Sequence, residues 1–309
     1  MAERTLRCPV TIWGFGVGGA LSALVRAGRR LGHDKYVDAV ATLVKPALMA
    51  PRDPTDHLIS VEALLALAEV RPGWDAGGAC SRWVTAVLDA HRPTPGGPRV
   101  HRPDLPAWAS TIWVDCMHTD GPGLAALGRR DEAVTCASEY AAVLQRDDGL
   151  FHHGYDASAE RGNGVAWGRG QGWALLGLVE TLRLVDDAAL RRRLERLVEA
   201  MGAYEESGRW RTVVDDPDTP VENSVAAYVA QGVTRAVRYG LVDATHAPMA
   251  ARAYAVTVGA VVDGGLRVSE ATAVGDKENY RSRALGVFPW GQAPALHAML
   301  DRLDQEGDA

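Results

Sequence analysis

Helical periodicity with alternating connection lengths is the feature that most constrains the fold of this chain. Apolar residues recur at helical spacing in eleven segments: 16–31, 34–50, 56–70, 75–91, 111–127, 130–146, 169–185, 188–205, 222–240, 246–262 and 291–304. Strand-like alternation is confined to short pieces such as 209–214 and 265–270. The sequence therefore predicts an all-α fold, and the absence of any linker or low-complexity segment predicts a single domain over residues 1–309.

The connections between these helices alternate between short and long. Apart from the brief 51–55, the long ones run through 92–110, 147–168, 206–221 and 263–290. In a series of antiparallel helices, every second connection lies at the same end of the assembly. We therefore expect the long loops to gather at one end of a ring of paired helices, where binding and catalysis usually lie.

The starts of the odd-numbered helices lie at that same end, and they are rich in tryptophan and in isolated ionisable or amide groups. These residues are Trp13, Asp56, Trp113, Asp115, Trp167, Arg169, Trp173, Glu222, Trp290 and Gln292. Indole faces stack well on sugar rings, and a few convergent polar groups fix a ligand's orientation. The pattern favours a carbohydrate site at the mouth of the ring.

Charge and cysteine content narrow the partners and the compartment. The formal net charge is −6 and is spread along the chain, which argues against nucleic acid or a membrane surface as partner. No apolar run reaches the ~20 residues of a membrane span. Residues 12–25 resemble the apolar part of a signal peptide, but no A-x-A-like cleavage site follows them. Four scattered cysteines without a CxxC pair indicate a reducing compartment, and we expect a cytoplasmic protein.

Two motifs could indicate a cofactor or a metal. Residues 14–19 (GFGVGG) satisfy the dinucleotide pattern G-x-G-x-x-G, but the following segment 34–50 is helical and no βαβ pattern appears. These glycines instead predict close packing of the first helix against a neighbour. His152 and His153 are adjacent in sequence and point in different directions, and no third ligand is suitably spaced. We expect neither a cofactor nor a metal.

Three segments carry candidate site residues, each with a structural alternative. Asp115 lies between Trp113 and Met117 at the opening of a helix, either as an acid aimed into the mouth or as a charge that complements the helix dipole. In 167–173 (WGRGQGW), Arg169 is able to hold a carboxylate with two hydrogen bonds or to pair with a structural acid. In 149–156 (GLFHHGYD), His153 either contacts a substrate or orders the loop.

Five segments together resemble a known group of enzymes. They are 113–128 (WVDCMHTDGPGLAALG), 149–156 (GLFHHGYD), 167–173 (WGRGQGW), 222–233 (ENSVAAYVAQGV) and 288–296 (FPWGQAPAL). In order and approximate spacing they are similar to the unsaturated rhamnogalacturonyl hydrolases and the unsaturated glucuronyl hydrolases. The resemblance covers residues 11–303, and the W-x-D, H-G-[WY]-D and W-G-R-G-x-G-W blocks are specific in combination.

This resemblance implies an (α/α)6 barrel, here short of its first helix. It also implies hydration of the C4=C5 double bond in a terminal Δ4,5-unsaturated uronic acid, a vinyl ether, which releases the linked sugar of a small oligosaccharide. Asp115 matches the acid/base carboxylate of the family, and Asp56 looks like its second carboxylate. The residues that match the lining of the sugar pocket are Trp113, His153, Trp167, Arg169 and Trp173.

The chain also departs from the family pattern. His118 and Asp120 follow the acid where an aromatic and a small residue are usual, and we include His118 among the substrate-binding candidates. The segment 57–62 (HLISVE) lacks the usual small polar residues. Two alternatives therefore stay open: a related α/α-barrel enzyme acting on a non-pectin or biosynthetic substrate, and a non-catalytic sugar-binding toroid. The sequence leaves the linked sugar and the oligomeric state undetermined.

Overall fold

Helices form most of the protein, and short strands occur between them. The computed structural model describes residues 1–8, 16–49, 61–74 and 76–307. The helices are α1 (Ala2–Leu6), α2 (Val17–Leu31), α3 (Asp34–Met49), α4 (Val61–Val70), α5 (Ala76–Leu88), α6 (Cys116–Ala126), α7 (Arg130–Leu144), α8 (Gly168–Leu182), α9 (Ala188–Ala203), α10 (Asn223–Arg238), α11 (Ala247–Gly259), α12 (Glu278–Arg281) and α13 (Pro289–Gly307). The strands are β1 (Thr111–Trp113), β2 (Gly154–Asp156), β3 (Arg161–Gly162), β4 (Val261–Val262), β5 (Gly265–Ser269) and β6 (Leu285–Val287).

Six helices close a ring. In the order α2, α4, α6, α8, α10, α13, each packs against the next, and α13 returns to α2. Helices α3, α5, α7, α9 and α11 lie outside this ring, against α2, α4, α6, α8 and α10 respectively. The five-residue α1 packs against α2 and α13, where the ring closes. The arrangement is the predicted (α/α)6 barrel, with a short α1 in place of a full first helix within the described residues.

Glycines allow the inner helices to approach closely. A Cβ atom on Gly177 of α8 would lie 2.3 Å from the carbonyl oxygen of Met117 in α6. At the other side of the ring, Gly16 has φ +77°, and a Cβ there would lie 2.6 Å from Cβ of Trp290. Gly19 similarly faces Ala293 of α13. The described part of the G-x-G-x-x-G motif therefore serves helix packing, as the sequence predicted.

The strands correct two predicted boundaries. The helix predicted over 246–262 ends at Gly259, because residues 261–262 form β4, which pairs with β5. The helix predicted from residue 111 begins at Cys116, because residues 111–113 form β1, which pairs antiparallel with β2 in the loop 147–168. Thr111, Ile112 and Trp113 have side chains that favour strands when a partner is available. Strand β5 confirms the alternation read at 265–270. Residues 209–214 form only the isolated bridges Arg211–Val221 and Val213–Trp167.

The long loops lie together at one end of the barrel. Ser110 in the loop 92–110 donates a 2.7 Å hydrogen bond to Asp156 in the loop 147–168. That second loop is joined to 206–221 through Trp167 and Val213, and to 263–290 through a 3.0 Å bond from Asn163 to the carbonyl of Gly275. These contacts confirm the prediction made from the alternating connection lengths. Among the described helices, none is both long and apolar enough to cross a membrane.

Candidate active site

A cavity of about 580 Å³ opens among these loops and the adjoining helix starts. Six of the residues that the sequence places at the mouth line it: Trp113, Asp115, Trp167, Arg169, Trp173 and Trp290. The remaining lining comes mainly from the loop 263–290 and from the beginnings of α2 and α13. Residues from Val17 to Trp290 thus converge on one concave surface, which is the usual form of a small-molecule site.

Asp115 is the buried acid of this cavity. Strand β1 and Val114 bring the chain to it, and α6 begins at the next residue. Its side chain is 4% exposed and accepts no hydrogen bond from the amides of the helix that it precedes. Oδ2 has no hydrogen-bond partner among the described residues. A buried carboxylate oxygen without a partner is costly in a purely structural role, so this environment favours a ligand contact.

His153 stands beside Asp115 on the neighbouring strand segment. The main-chain amide of Val114 donates to the carbonyl of His153 at 3.0 Å, which fixes the two segments side by side. His153 Nε2 lies 3.2 Å from Asp115 Oδ2, although the angles fall outside those of a hydrogen bond. On the other side of the ring, Nδ1 is 2.5 Å from the Tyr280 hydroxyl. Burial raises the pKa of Tyr280, so this hydroxyl stays neutral and holds the imidazole.

Three tryptophans of this lining have indole donors without a partner among the described residues. The indole N–H groups of Trp113, Trp167 and Trp173 are buried and have no hydrogen-bond partner in the described parts of the chain. Trp113 is held by Trp108 and His101, with ring centroids 5.4 and 4.4 Å away. Buried polar groups normally find partners. Indole faces and free N–H donors together suit a ligand that has both apolar ring faces and hydroxyl groups, which is the character of a sugar.

Arg169 reaches the cavity but is heavily bonded. Its Nη1 donates to the carbonyl and hydroxyl of Ser269 at 3.0 and 3.2 Å, and Nη2 donates to the carbonyl of Glu270 at 2.7 Å. The guanidinium also stacks over Trp167, 4.6 Å from its centroid. Glu222, which caps α10, is 3.9 Å away. Burial lowers the pKa of Arg169. Arg169 therefore borders the cavity, and its bonds to Ser269 and Glu270 fix the loop that lines it.

Neither His118 nor Asp120 lines the cavity that contains Asp115. His118 lines a second cavity of about 430 Å³ between the inner helices, and its ring centroid is 4.8 Å from that of Trp173. Burial lowers the pKa of His118. Asp120 is fully buried in an ion pair with Arg99, at 2.7 and 2.9 Å, and accepts from the Tyr140 hydroxyl at 3.0 Å. The departures from the family pattern at these positions therefore lie outside the lining of the first cavity, and His118 does not line it as the sequence predicted.

Sequence reasoning missed the contribution of the loop 263–290. Thr272, Asn279 and Arg283 line the cavity, and Tyr280 supports His153. No periodicity or spacing distinguishes them from other loop residues. Asp56 and Trp13, both predicted at the mouth, lie outside the described residues. Among the residues that are described, no group of three or more His, Cys, Asp or Glu side chains is arranged to hold a metal ion.

The fold and the cavity together place the protein in the class of (α/α)6-barrel glycoside hydrolases. The sequence pattern of Glycosyl Hydrolase Family 88 matches residues 3–305. The chain therefore belongs to Glycosyl Hydrolase Family 88.

Individual relatives agree with this assignment. The unsaturated rhamnogalacturonyl hydrolase YesR of Bacillus subtilis (strain 168) is 32% identical over 168 residues, which are 50% of this chain and 46% of YesR. The chain thus matches about half the length of this curated relative. A possible member of the GH105 family from Klebsiella pneumoniae has a similar structure, with a TM-score of 0.85, 22% identity, and coverage of 95% of this chain and 83% of that one. For the unsaturated glucuronyl hydrolase of Bacillus sp. GL1, the TM-score is 0.71, the identity 18%, and the coverage 96% and 87%. At these identities the two structures support the fold.

Proposed function

We propose that the protein hydrates the C4=C5 double bond of a terminal Δ4,5-unsaturated uronic acid and so releases the sugar linked to it. The observation that carries the proposal is the buried Asp115, whose Oδ2 has no hydrogen-bond partner among the described residues, at the wall of a cavity lined by tryptophans. Family membership supports it, as does the name of YesR, an unsaturated rhamnogalacturonyl hydrolase. In a non-catalytic sugar-binding toroid, Asp115 would be exposed to solvent or neutralised by a fixed cation.

In this reaction one carboxylate acts first as an acid and then as a base. Protonated Asp115 delivers its proton to C4, and positive charge develops at C5 and on the ring oxygen. Water then adds at C5 and gives a proton back to the ionised Asp115, so the acid is regenerated. The resulting hemiketal opens, and the former anomeric carbon releases the linked sugar as an alcohol. A positioned acid or base of this kind contributes ~10²–10⁴-fold to a rate.

His153 positions this acid. Its Nε2 lies 3.2 Å from Asp115 Oδ2, and the Tyr280 hydroxyl holds the opposite ring nitrogen. The imidazole is fully buried and packs on Trp167, with centroids 4.2 Å apart. It therefore keeps one carboxylate oxygen at a fixed place, from which the other can reach a sugar ring stacked on an indole face. In this proposal Trp113, Trp167 and Trp173 bind the uronate ring, and Asp56 remains the candidate second carboxylate.

The substrate we propose is a small oligosaccharide left by a polysaccharide lyase, and the cell compartment is the cytoplasm. A cavity of about 580 Å³ accommodates one or two sugar rings. Its walls come from four different loops and helix starts, which suits the end of a chain more than a long polymer. The described cysteines Cys8, Cys80, Cys116 and Cys136 are all buried and form no CxxC pair in the sequence, which supports a reducing compartment.

The decisive assay follows the ultraviolet absorbance of the conjugated double bond. Unsaturated disaccharides are prepared with lyases that cut rhamnogalacturonan, homogalacturonan and glycosaminoglycans, and each is incubated with the purified protein. We expect the absorbance to fall with at least one of them, together with release of the linked sugar. A folded preparation that leaves the absorbance of all of them constant would exclude the proposed reaction.

A further inference from the structure

Two guanidinium groups border the cavity, within the described part of the chain, and they differ in how many donors remain free. Arg169 and Arg283 are the cationic side chains of the lining. Both terminal nitrogens of Arg169 already donate to Ser269 or Glu270 at 2.7–3.2 Å. Binding a carboxylate through these nitrogens would break bonds that hold the loop. Arg283 is therefore the better candidate for binding a carboxylate.

Arg283 has a donor that the structure leaves unused. Its Nε is buried and has no hydrogen-bond partner among the described residues. Nη2 donates to the main-chain carbonyl of Ala271 and lies 3.4 Å from Glu270 Oε1. A guanidinium carries five N–H donors in a fixed fork, so these contacts orient Arg283 and leave donors available. The side chain is 28% exposed, which keeps it accessible from the cavity.

The β5–β6 pairing places Arg283 on the cavity wall. In this ladder Ser269 faces Leu285, and the amide of Glu270 donates to the carbonyl of Ala284 at 2.9 Å. Continuing this register puts Arg283 opposite Ala271, which also lines the cavity. Arg169 and the indole N–H of Trp290 both donate to the carbonyl of Ser269, so they anchor the end of β5. The position of Arg283 is thus set by main-chain pairing and by the bonds of Arg169 and Trp290 to β5.

We propose that Arg283 binds the carboxylate of the uronic acid. In this proposal Arg169 is a positioning residue, because it holds the end of β5, opposite which Arg283 lies. The identity of this ligand rests on the proposed function. An arginine–carboxylate contact is strong and directional. Because the carboxylate is attached to C5, fixing it also fixes the C4=C5 bond in the cavity that contains Asp115. The neutral side chains Thr272 and Asn279 complete this wall.

The test measures binding in the Asp115→Asn background, where turnover is not expected to consume the ligand. The ligands are a lyase-generated unsaturated disaccharide and its methyl ester, and the signal is the fluorescence of the cavity tryptophans. In the Asp115→Asn parent, we expect the acid to bind at least ~10-fold more tightly than the ester, the scale of one hydrogen bond to a charged group. Adding Arg283→Gln should weaken acid binding by ~10- to 100-fold and leave ester binding nearly unchanged.

Two further variants make the result specific. Arg283→Lys keeps the charge but loses the planar fork, so acid binding should fall between the parent and Arg283→Gln. Arg281→Gln is the matched control, because Arg281 is two residues away, 42% exposed and directed to Asp216 at 3.7 Å. It should bind both ligands like the parent. Thermal unfolding of each variant establishes that the loop change has not unfolded the protein.

Several results would overturn the proposal. These are unchanged acid binding in Arg283→Gln, an equal loss for acid and ester, or a parent that binds neither ligand. Turnover by the wild-type protein is measured separately. A wild type that prefers the acid through Arg283 but leaves the double bond intact would refute the hydration reaction and support the binding role. Turnover that is insensitive to Arg283→Gln would refute the binding role and support the reaction.

Discussion

At the scale of single residues, the proposed reaction rests on Asp115. A helix-end charge would have been solvated or hydrogen-bonded to the first amides of α6, whereas Asp115 is buried and makes no such bond. We therefore expect Asp115→Asn to lose at least ~10²-fold in kcat, because the amide retains shape but has no transferable carboxylic proton. The melting temperature should change little, since the substitution opens no cavity.

The measurement combines absorbance assays on the active disaccharide with thermal unfolding of the same samples. A control is Asp104→Asn, in which an exposed acid that pairs with Arg102 is changed in the same way. Retention of most of the hydration activity by Asp115→Asn would remove this residue from the mechanism and leave the fold assignment intact.

Asp120 shows that a residue near the acid can have a purely structural role. Its carboxylate pairs with Arg99 at two distances below 3 Å, fully buried, and joins the loop 92–110 to α6. Asp120→Asn leaves the guanidinium of Arg99 buried beside a neutral group. We expect a loss of ~3–5 kcal/mol in the free energy of unfolding, measured by urea denaturation. Asp104→Asn, at an exposed ion pair, should cost less than ~1 kcal/mol.

An Asp120→Asn protein as stable as Asp104→Asn would contradict this structural assignment. The sequence could not separate the two roles, because Asp115 and Asp120 are five residues apart in the same segment. The two roles differ because the partners of the two carboxylates differ. Arg99 reaches Asp120 only because the loop 92–110 folds against α6. Residue type and spacing therefore predicted that Asp115 lies at the cavity, but they did not reveal that Asp120 is paired with Arg99.

At the scale of elements, the approach of α8 to α6 holds the acid in place. A Cβ on Gly177 would lie 2.3 Å from the carbonyl oxygen of Met117 and 2.6 Å from its carbonyl carbon. Since these are backbone atoms, the two helices must separate to accept it. Gly177→Ala should therefore destabilise the protein by ~1–3 kcal/mol, the usual cost of overpacking. It should also lower kcat, because Asp115 immediately precedes α6.

A glycine in open space provides the matched control for this prediction. Gly259 ends α11, and a Cβ there would meet no atom within 4 Å. Gly259→Ala should leave the free energy of unfolding within ~1 kcal/mol of the wild type, on the stabilising side, because alanine restricts the unfolded chain. Urea denaturation of both variants gives the comparison. If Gly177→Ala were as stable as Gly259→Ala, the close helix contact would be wrong.

The sequence predicted the elements well where periodicity alone determines them. Helices α8, α9 and α10 begin and end within three residues of the predicted segments. It was wrong at 111–113, where pairing with residues 154–156 makes a strand from residues that also fit a helical pattern. This pairing brings His153 to Asp115. A contact between segments about forty residues apart depends on strand register, which neither segment specifies by itself.

At the scale of the whole molecule, connection lengths predicted the functional end of the barrel. Four long loops meet there because successive antiparallel helices return the chain to the same end. The side chains of the cavity were harder to predict from the sequence. Arg283 and Tyr280 come from a loop whose path depends on the β5–β6 ladder and on bonds from Arg169. The location of the long loops follows from the topology, whereas the contacts of their side chains depend on the folded structure.

The buried His101, which packs against Trp113, makes the stability of the whole protein depend on pH. Burial disfavours the charged form of His101 and lowers its pKa from 6.5 to about 2, and the nearby Arg99 and Arg102 act in the same direction. The unfolded chain binds a proton at His101 as the pH falls through 6.5, while the folded protein does not. The stabilising effect is therefore present above the unfolded pKa and is lost as the pH falls toward the folded one.

For this single group, the free energy of unfolding should fall by up to ~1.4 kcal/mol per pH unit below the unfolded pKa. His101→Phe keeps a ring against Trp113, whose centroid is 4.4 Å from that of His101, and removes the titration. We expect its stability to decline less steeply than that of the wild type between about pH 6 and about pH 4. Urea denaturation across this range measures both slopes. Parallel pH profiles for the two proteins would show that His101 does not contribute to the acid sensitivity of the fold, because a group that titrates differently in the two states must change the slope when it is removed.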